Sequence, residues 1–152
     1  MGGYTFFTPH YMTWYCPDAF VKSKQCQLQC INHEVTDRYH VPDLEQDFSK
    51  GYEGRDVVTI NLRLLCVSSV ANASSKSWVW WDYVTDFHIK YPMSENKYNQ
   101  ECVEVIGSLG IPVNKVCECM GNLDFDMSNP LLKSKQDATE CSCRCGCWSR
   151  IR

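Results

Sequence analysis

The spacing of apolar positions changes several times along the chain, and each change marks an element. Tyr4 to Trp14 is rich in aromatic and β-branched residues, interrupted by Pro9 and His10, and predicts a strand or two short extended pieces. Pro17 then opens a helix predicted from Asp18 to about Ile31, with Cys26 and Cys30 at i and i+4 on one face. Asn32 to Arg55 carries two acidic clusters, Pro42, Gly51 and Gly54 with little periodicity, which predicts a long surface loop.

From Asp56 to Val70 the positions Val58, Leu62, Leu65 and Cys66 recur at helical spacing, predicting an amphipathic helix with Cys66 on its buried side. Asn72 to Ser77 break it. Trp78 to Ile89 is densely aromatic; its length and the Asp82 and Asp86 spacing favour helix over strand. Tyr98, Cys102, Val105, Ile106 and Leu109 form the clearest helical stripe, ended by Gly110 at the cap position. Pro112 begins another short helix whose apolar face reads Val113, Val116, Cys117 and Met120, with Gly121 at its end. Asn122 to Pro130 reads as an acidic turn and Leu131 to Ala138 as a last helical piece.

Composition narrows the class. A chain of 152 residues with 44% hydrophobic and 22% charged residues is one globular domain and excludes disorder. Its formal charge of −3 provides no global positive field for nucleic acid or an anionic membrane. The longest aromatic run, SWVWWDYV, is interrupted by Asp82 and falls short of the roughly 18 to 20 apolar residues of a membrane span. The opening MGGYTFFTPHYMTWYC lacks the basic start, apolar stretch and cleavage site of a secretory signal, and Phe6 stands where myristoylation expects Ser or Thr.

The 11 cysteines point to an oxidising compartment or a metal, and their odd number cannot all pair within one chain. Seven are spread through the first 120 residues, whereas Cys141, Cys143, Cys145 and Cys147 alternate near the end. That CSCRCGC tail would supply at most one tetrahedral soft-metal site; a changed reading frame or splice junction explains the abrupt shift after Ala138 better.

Candidate chemistry is sparse. TWYCPDAF puts Cys16 where an extended segment meets a helix, but the position of a resolving thiol holds Ala19, so a structural disulfide is the better reading of Cys16. His10, His33, His40 and His88 stand at no ligand spacing from a cysteine pair. Asp124 and Asp126, with Asn122 and Asn129, lack the mid-loop Gly and terminal Glu of a calcium loop. There is no phosphate loop, nucleophile elbow or acid–base pair, so no catalytic, metal or cofactor site is expected. Asn72-Ala73-Ser74 is a glycosylation sequon in a predicted inter-helix loop.

At these residues the chain resembles the plant vacuolar sorting receptors, specifically the thioredoxin-like central region of their luminal portion. The resemblance is carried by GGYTFFTPHYMTWYCPDAF, SKQCQLQCINH, PDLEQDFSKGYEGRDVV, WVWWDYVTDF, KYNQEC, CMGN and NPLLKSKQDA, nearly all of residues 2–138. It implies an α/β thioredoxin-like, helix-rich fold and a non-enzymatic luminal module of a type I receptor. Such a receptor, with its other domains, binds the sorting signals of vacuolar cargo proteins in the Golgi and releases them in a prevacuolar compartment. The aromatic segment around Trp78 to Tyr83 is the nominee for peptide contact, with core packing its blander use.

Three departures qualify the resemblance. The family usually has cysteines where this chain has His40 and Tyr91, a loss that fits one absent bridge. The resemblance then leaves Cys16, Cys26, Cys30, Cys66, Cys102 and Cys119 as disulfide candidates in unspecified pairing, with Cys117 extra. After Ala138 the family continues into strands that complete its sheet, where this chain has ATECSCRCGCWSRIR. The expectation is therefore a partial form: a receptor-like region over 1–138, a divergent tail over 139–152 and an incomplete sheet. The alternatives are a thiol oxidoreductase or redox sensor using Cys16, and a non-functional product of a partial gene.

Overall fold

The helix predicted from Asp56 forms and extends past both predicted ends, from Gly54 to Ala73, in a computed structural model that describes residues 7–13, 19–20, 22–29, 53–91, 102–121 and 129–144. In chain order the helices are α1 (Lys24–Gln29), α2 (Gly54–Ala73), α3 (Val79–Lys90), α4 (Cys102–Ser108), α5 (Val113–Met120) and α6 (Pro130–Arg144). No strand occurs among the described residues, and the expected incomplete sheet is not seen among them.

Helix α2 is the axis of the core. Val58, Leu62, Leu65 and Cys66 are buried as their spacing predicts, but Ile60, Val67, Val70 and Ala71 are buried too, as are Arg63 and Ser68. An amphipathic stripe would leave one face wet. Here α1, α3, α5 and α6 all pack on α2, so most of its circumference is covered. At its start the Glu53 N–H donates to Asp56 Oδ2 at 2.9 Å, which satisfies an otherwise unpaired donor and sets a carboxylate at the positive end of the helix. Gly54 has no substitute at this point, because a Cβ there would overlap the backbone of Gln29 at the end of α1.

The end of α2 sets the entry to α3. Lys76 N–H donates to Ala71 O and Ser75 N–H to Asn72 O, with Ser75 in the left-handed region at φ 56°, which is the Schellman closure. The helix thus runs to Ala73, three residues beyond its predicted end at Val70 and into the predicted break. The predicted Trp78 to Ile89 helix forms over Val79–Lys90 with Trp78 at its N-cap, and its burial follows one face: Tyr83, Phe87 and Tyr91 form a buried row with successive ring centroids 5.8 Å apart. Tyr91, where the resemblance expects cysteine, is therefore a core residue.

Val105 and Ile106 of α4 are buried and Gly110, at φ 68°, closes the helix, its N–H donating to Gly107 O while Ile111 N–H donates to Ile106 O. Tyr98 lies outside the described residues. In α5, Val116 is buried, but Cys117 is exposed and Cys119 faces inward, which corrects the predicted apolar face. The stripe turns toward the Val116, Cys119, Met120 side because Cys119 is bonded to α2.

One other expectation needs correction. Pro17 and Asp18 lie outside the described residues, and the described part of the predicted Asp18–Ile31 helix is helical only over Lys24–Gln29, where Ser23 Oγ accepts the Cys26 N–H at 3.2 Å as the N-cap. Of the two readings given for Tyr4 to Trp14, a strand or short extended pieces, the described part, Phe7 to Thr13, fits the second. Pro9 and Thr13 are buried and Tyr11 is half-buried while Thr8, His10 and Met12 are exposed, the side-chain alternation of a strand with no ladder among the described residues. Pro9 has no N–H to give to one.

Asn129 fastens α6 to α5. Its Oδ1 accepts from the N–H groups of Leu131 and Leu132, capping α6, while its Nδ2 donates at 3.1 Å to the carbonyls of both Cys119 and Met120 at the end of α5. The Asn-Pro pair, with proline at the first helical position, is the sequence signature of this cap. From there α6 runs unbroken across Ala138 to Arg144.

Asn129→Asp keeps the capping oxygen but sets a carboxylate against two carbonyls in a buried site. It is expected to cost more stability than Asn129→Ala, which should itself cost about 2 kcal/mol in urea unfolding; equal losses would mean that the bonds to α5 contribute nothing. Gln136 is fully buried and both polar atoms of its amide lack a hydrogen-bond partner. Gln136→Met, of similar shape, should raise the unfolding free energy by about 1 kcal/mol, and a loss of stability would refute that account.

Candidate functional site

The cysteines define how the candidate surface is held. Cys66, at the centre of α2, is bonded to Cys119 of α5, with Cα atoms 5.7 Å apart and 53 residues between them in sequence. Cys26 of α1 is also disulfide-bonded. Cys16 and Cys30 lie outside the described residues, as does the side chain of Cys102. Among the described residues Cys117 alone is a free thiol, and it is exposed.

The nominated aromatic segment divides by helical geometry. Trp80 and Tyr83 turn inward: Trp80 is 6% exposed and its indole Nε1–H donates to the Leu64 carbonyl of α2 at 3.0 Å, which registers α3 against α2. Trp78 and Trp81 turn outward, at 61% and 52% exposure. Phe7, 47% exposed, joins them from the extended segment, its ring centroid 4.7 Å from that of Trp81 and 4.9 Å from that of Trp80. Phe7 had no signal of its own in the sequence, since nothing local relates residue 7 to residue 81.

Between these rings and α2 lies a cleft of about 240 Å³, lined by Phe7, Trp78, Trp80 and Trp81 and by Ser68 and Asn72 of α2. A second cleft of about 200 Å³ shares Ser68 and Asn72 and is lined on its far side by Thr8 and Pro9 and by Leu131 and Lys135 of α6. The segment Phe7 to Pro9 thus contributes to both clefts along the same row of α2. Farther along, burial pushes the Tyr11 hydroxyl up to about 12, and His10 is lowered, first by partial burial and then by the charge of Lys135. Asn72, the sequon asparagine, is exposed in the last turn of α2 and lines both clefts.

Other nominated groups do not converge. His88 is exposed, as is His10; His33, His40, Asn122, Asp124 and Asp126 lie outside the described residues, and Asn129 is the α5–α6 fastener. Cys141 and Cys143 lie on the α6 backbone, their side chains outside the described part. Among the described residues no group of three or more His, Cys, Asp or Glu side chains could hold a metal, and no helix is long and apolar enough to cross a membrane.

A disulfide-linked helical module with an aromatic surface cleft is the class that these features define. The chain belongs to the vacuolar sorting receptor thioredoxin-like domain family, whose model matches residues 1–146. It is 62% identical over 138 residues to vacuolar-sorting receptor 1 of Pisum sativum, and 61% identical over the same length to vacuolar-sorting receptors 4 and 3 of Arabidopsis thaliana. Each match covers 90% of this chain and 22% of the relative, so the chain spans about a fifth of the length of these receptors.

The Cys66–Cys119 link restrains a 53-residue separation in the unfolded chain. The Cys66→Ala/Cys119→Ala double variant should therefore lose about 4 kcal/mol in denaturant unfolding. A loss below about 1 kcal/mol would mean that packing alone holds α2 to α5.

Proposed function

We propose that this chain acts as a luminal, non-enzymatic module of a vacuolar sorting receptor, contributing with other receptor domains to the recognition of vacuolar cargo. The observation that carries the reading is the identity to named vacuolar-sorting receptors across 90% of the chain. The work is done in the secretory pathway between Golgi and prevacuolar compartment, where the cargo's sorting signal is the partner. A disulfide formed in the middle of the core fits that oxidising lumen, since such bonds persist there and are reduced in the cytosol. So does an exposed sequon at Asn72.

The receptor-like part is residues 1–138, and its contribution is made as a rigid piece of a larger luminal assembly. The thiol-exchange reading rests on Cys16, and no described residue favours it. Residues 1–138 exchanged for the corresponding region of a full vacuolar sorting receptor should preserve delivery of a signal-bearing reporter to the vacuole. Secretion of the reporter, with the chimera folded and present in the Golgi, would overturn the proposal.

A further inference from the structure

The exposed aromatic rings present a question of occupancy. Phe7, Trp78 and Trp81 place three large apolar faces together at the surface, and a contiguous patch of this kind marks a site that something covers. The cleft they enclose, about 240 Å³, is smaller than the roughly 300–1,000 Å³ of most small-molecule sites. It suits a single ring. Its lining pairs aromatic faces with the hydroxyls of Ser68 and Ser77 and the amide of Asn72. That combination matches a pyranose, which has an apolar C–H face and a polar rim.

We infer that the first N-acetylglucosamine of an oligosaccharide attached to Asn72 folds back onto Trp78, Trp81 and Phe7 and closes this cleft. The argument rests on the luminal reading above and on where Asn72 stands. Asn72 is itself a lining residue, one turn beyond Ser68 on the same row of α2. A helical side chain leans toward the N-terminus of its helix, so the Asn72 amide extends over the Ser68 turn, into the gap between Phe7 and α3. A sugar tethered there meets the rings at high effective concentration, which an unlinked ligand does not.

The modification uses a lipid diphosphate-linked oligosaccharide as donor. Asn72 Nδ2 forms a bond to the anomeric carbon, the bond from that carbon to the diphosphate oxygen breaks, the lipid diphosphate leaves and one amide proton is lost. The Asn72-Ala73-Ser74 sequon supplies the acceptor. On the folded protein the glycan then shields an aromatic surface that would otherwise associate with other apolar surfaces.

The test uses the full chain secreted from a eukaryotic cell behind a cleavable signal, so that luminal exposure is guaranteed and the outcome is independent of the receptor chimera. An endoglycosidase trims the glycan to one residue on Asn72, and the product is compared with Ser74→Ala, which retains every tryptophan and lacks the sequon. Acrylamide quenching of tryptophan emission should fall on the order of twofold in the trimmed form, because Trp78 and Trp81 are the exposed indoles among the described residues. Nuclear Overhauser contacts should join the N-acetylglucosamine ring to both indoles. Trp78→Ala should keep the sugar and the cooperative melt but lose much of this protection. An unmodified Asn72 in the folded, secreted chain would overturn the inference. So would a sugar that leaves quenching unchanged, or a sorting-signal peptide that occupies the cleft equally well with the sugar present.

Discussion

A helix with almost no free face is the constraint on which this structure depends. Helix α2 buries apolar groups around most of its circumference, so it is stable only when sheathed, and four other helices supply the sheath. Helices as short as α1 and α5, of six and eight residues, do not persist alone in water. The disulfide resolves this mutual dependence at one point, since Cys66 sits in the middle of α2 and holds α5 beside it. The Trp80 indole, bonded to the Leu64 carbonyl, fixes α3 in the same way from another side.

Much of this architecture was legible. Helical spacing in Val58, Leu62 and Cys66, the Gly110 cap and the piece from Leu131 to Ala138 after Pro130 mark real helices, because amphipathic period and cap chemistry are local properties. The errors have a common cause. Cys117 and Cys119 are both plausible on a short wheel, and only a bond to a residue 53 positions away decides which turns inward. Phe7 to Thr13 has strand chemistry and strand alternation, yet whether such a segment pairs depends on what lies beside it. The all-round burial of α2 was hidden because its extra apolar residues read as tolerance of a stripe and not as a second interface.

The candidate surface was half legible for a similar reason. The aromatic segment announced itself, and its division into Trp80 and Tyr83 inside, Trp78 and Trp81 outside, follows once helix is chosen over strand. The cleft itself did not follow, because it is assembled from residue 7, the end of α2 and the start of α3. Kinship with the vacuolar sorting receptors states what kind of protein carries such a module; the geometry states which of its residues are free to meet anything else.

The Asn129 fastener governs how the chain tolerates novelty. One buried side chain starts α6 and ties that start to the end of α5, so the register of α6 is decided within its first turn. Whatever follows inherits that register. Replacing residues after Ala138 changes what the far end of α6 displays without moving where it begins, and it leaves the α2–α5 link untouched. The far end of α6 is thereby uncoupled from the core: residues there can change while the scaffold that Asn129 and the disulfide hold keeps its shape.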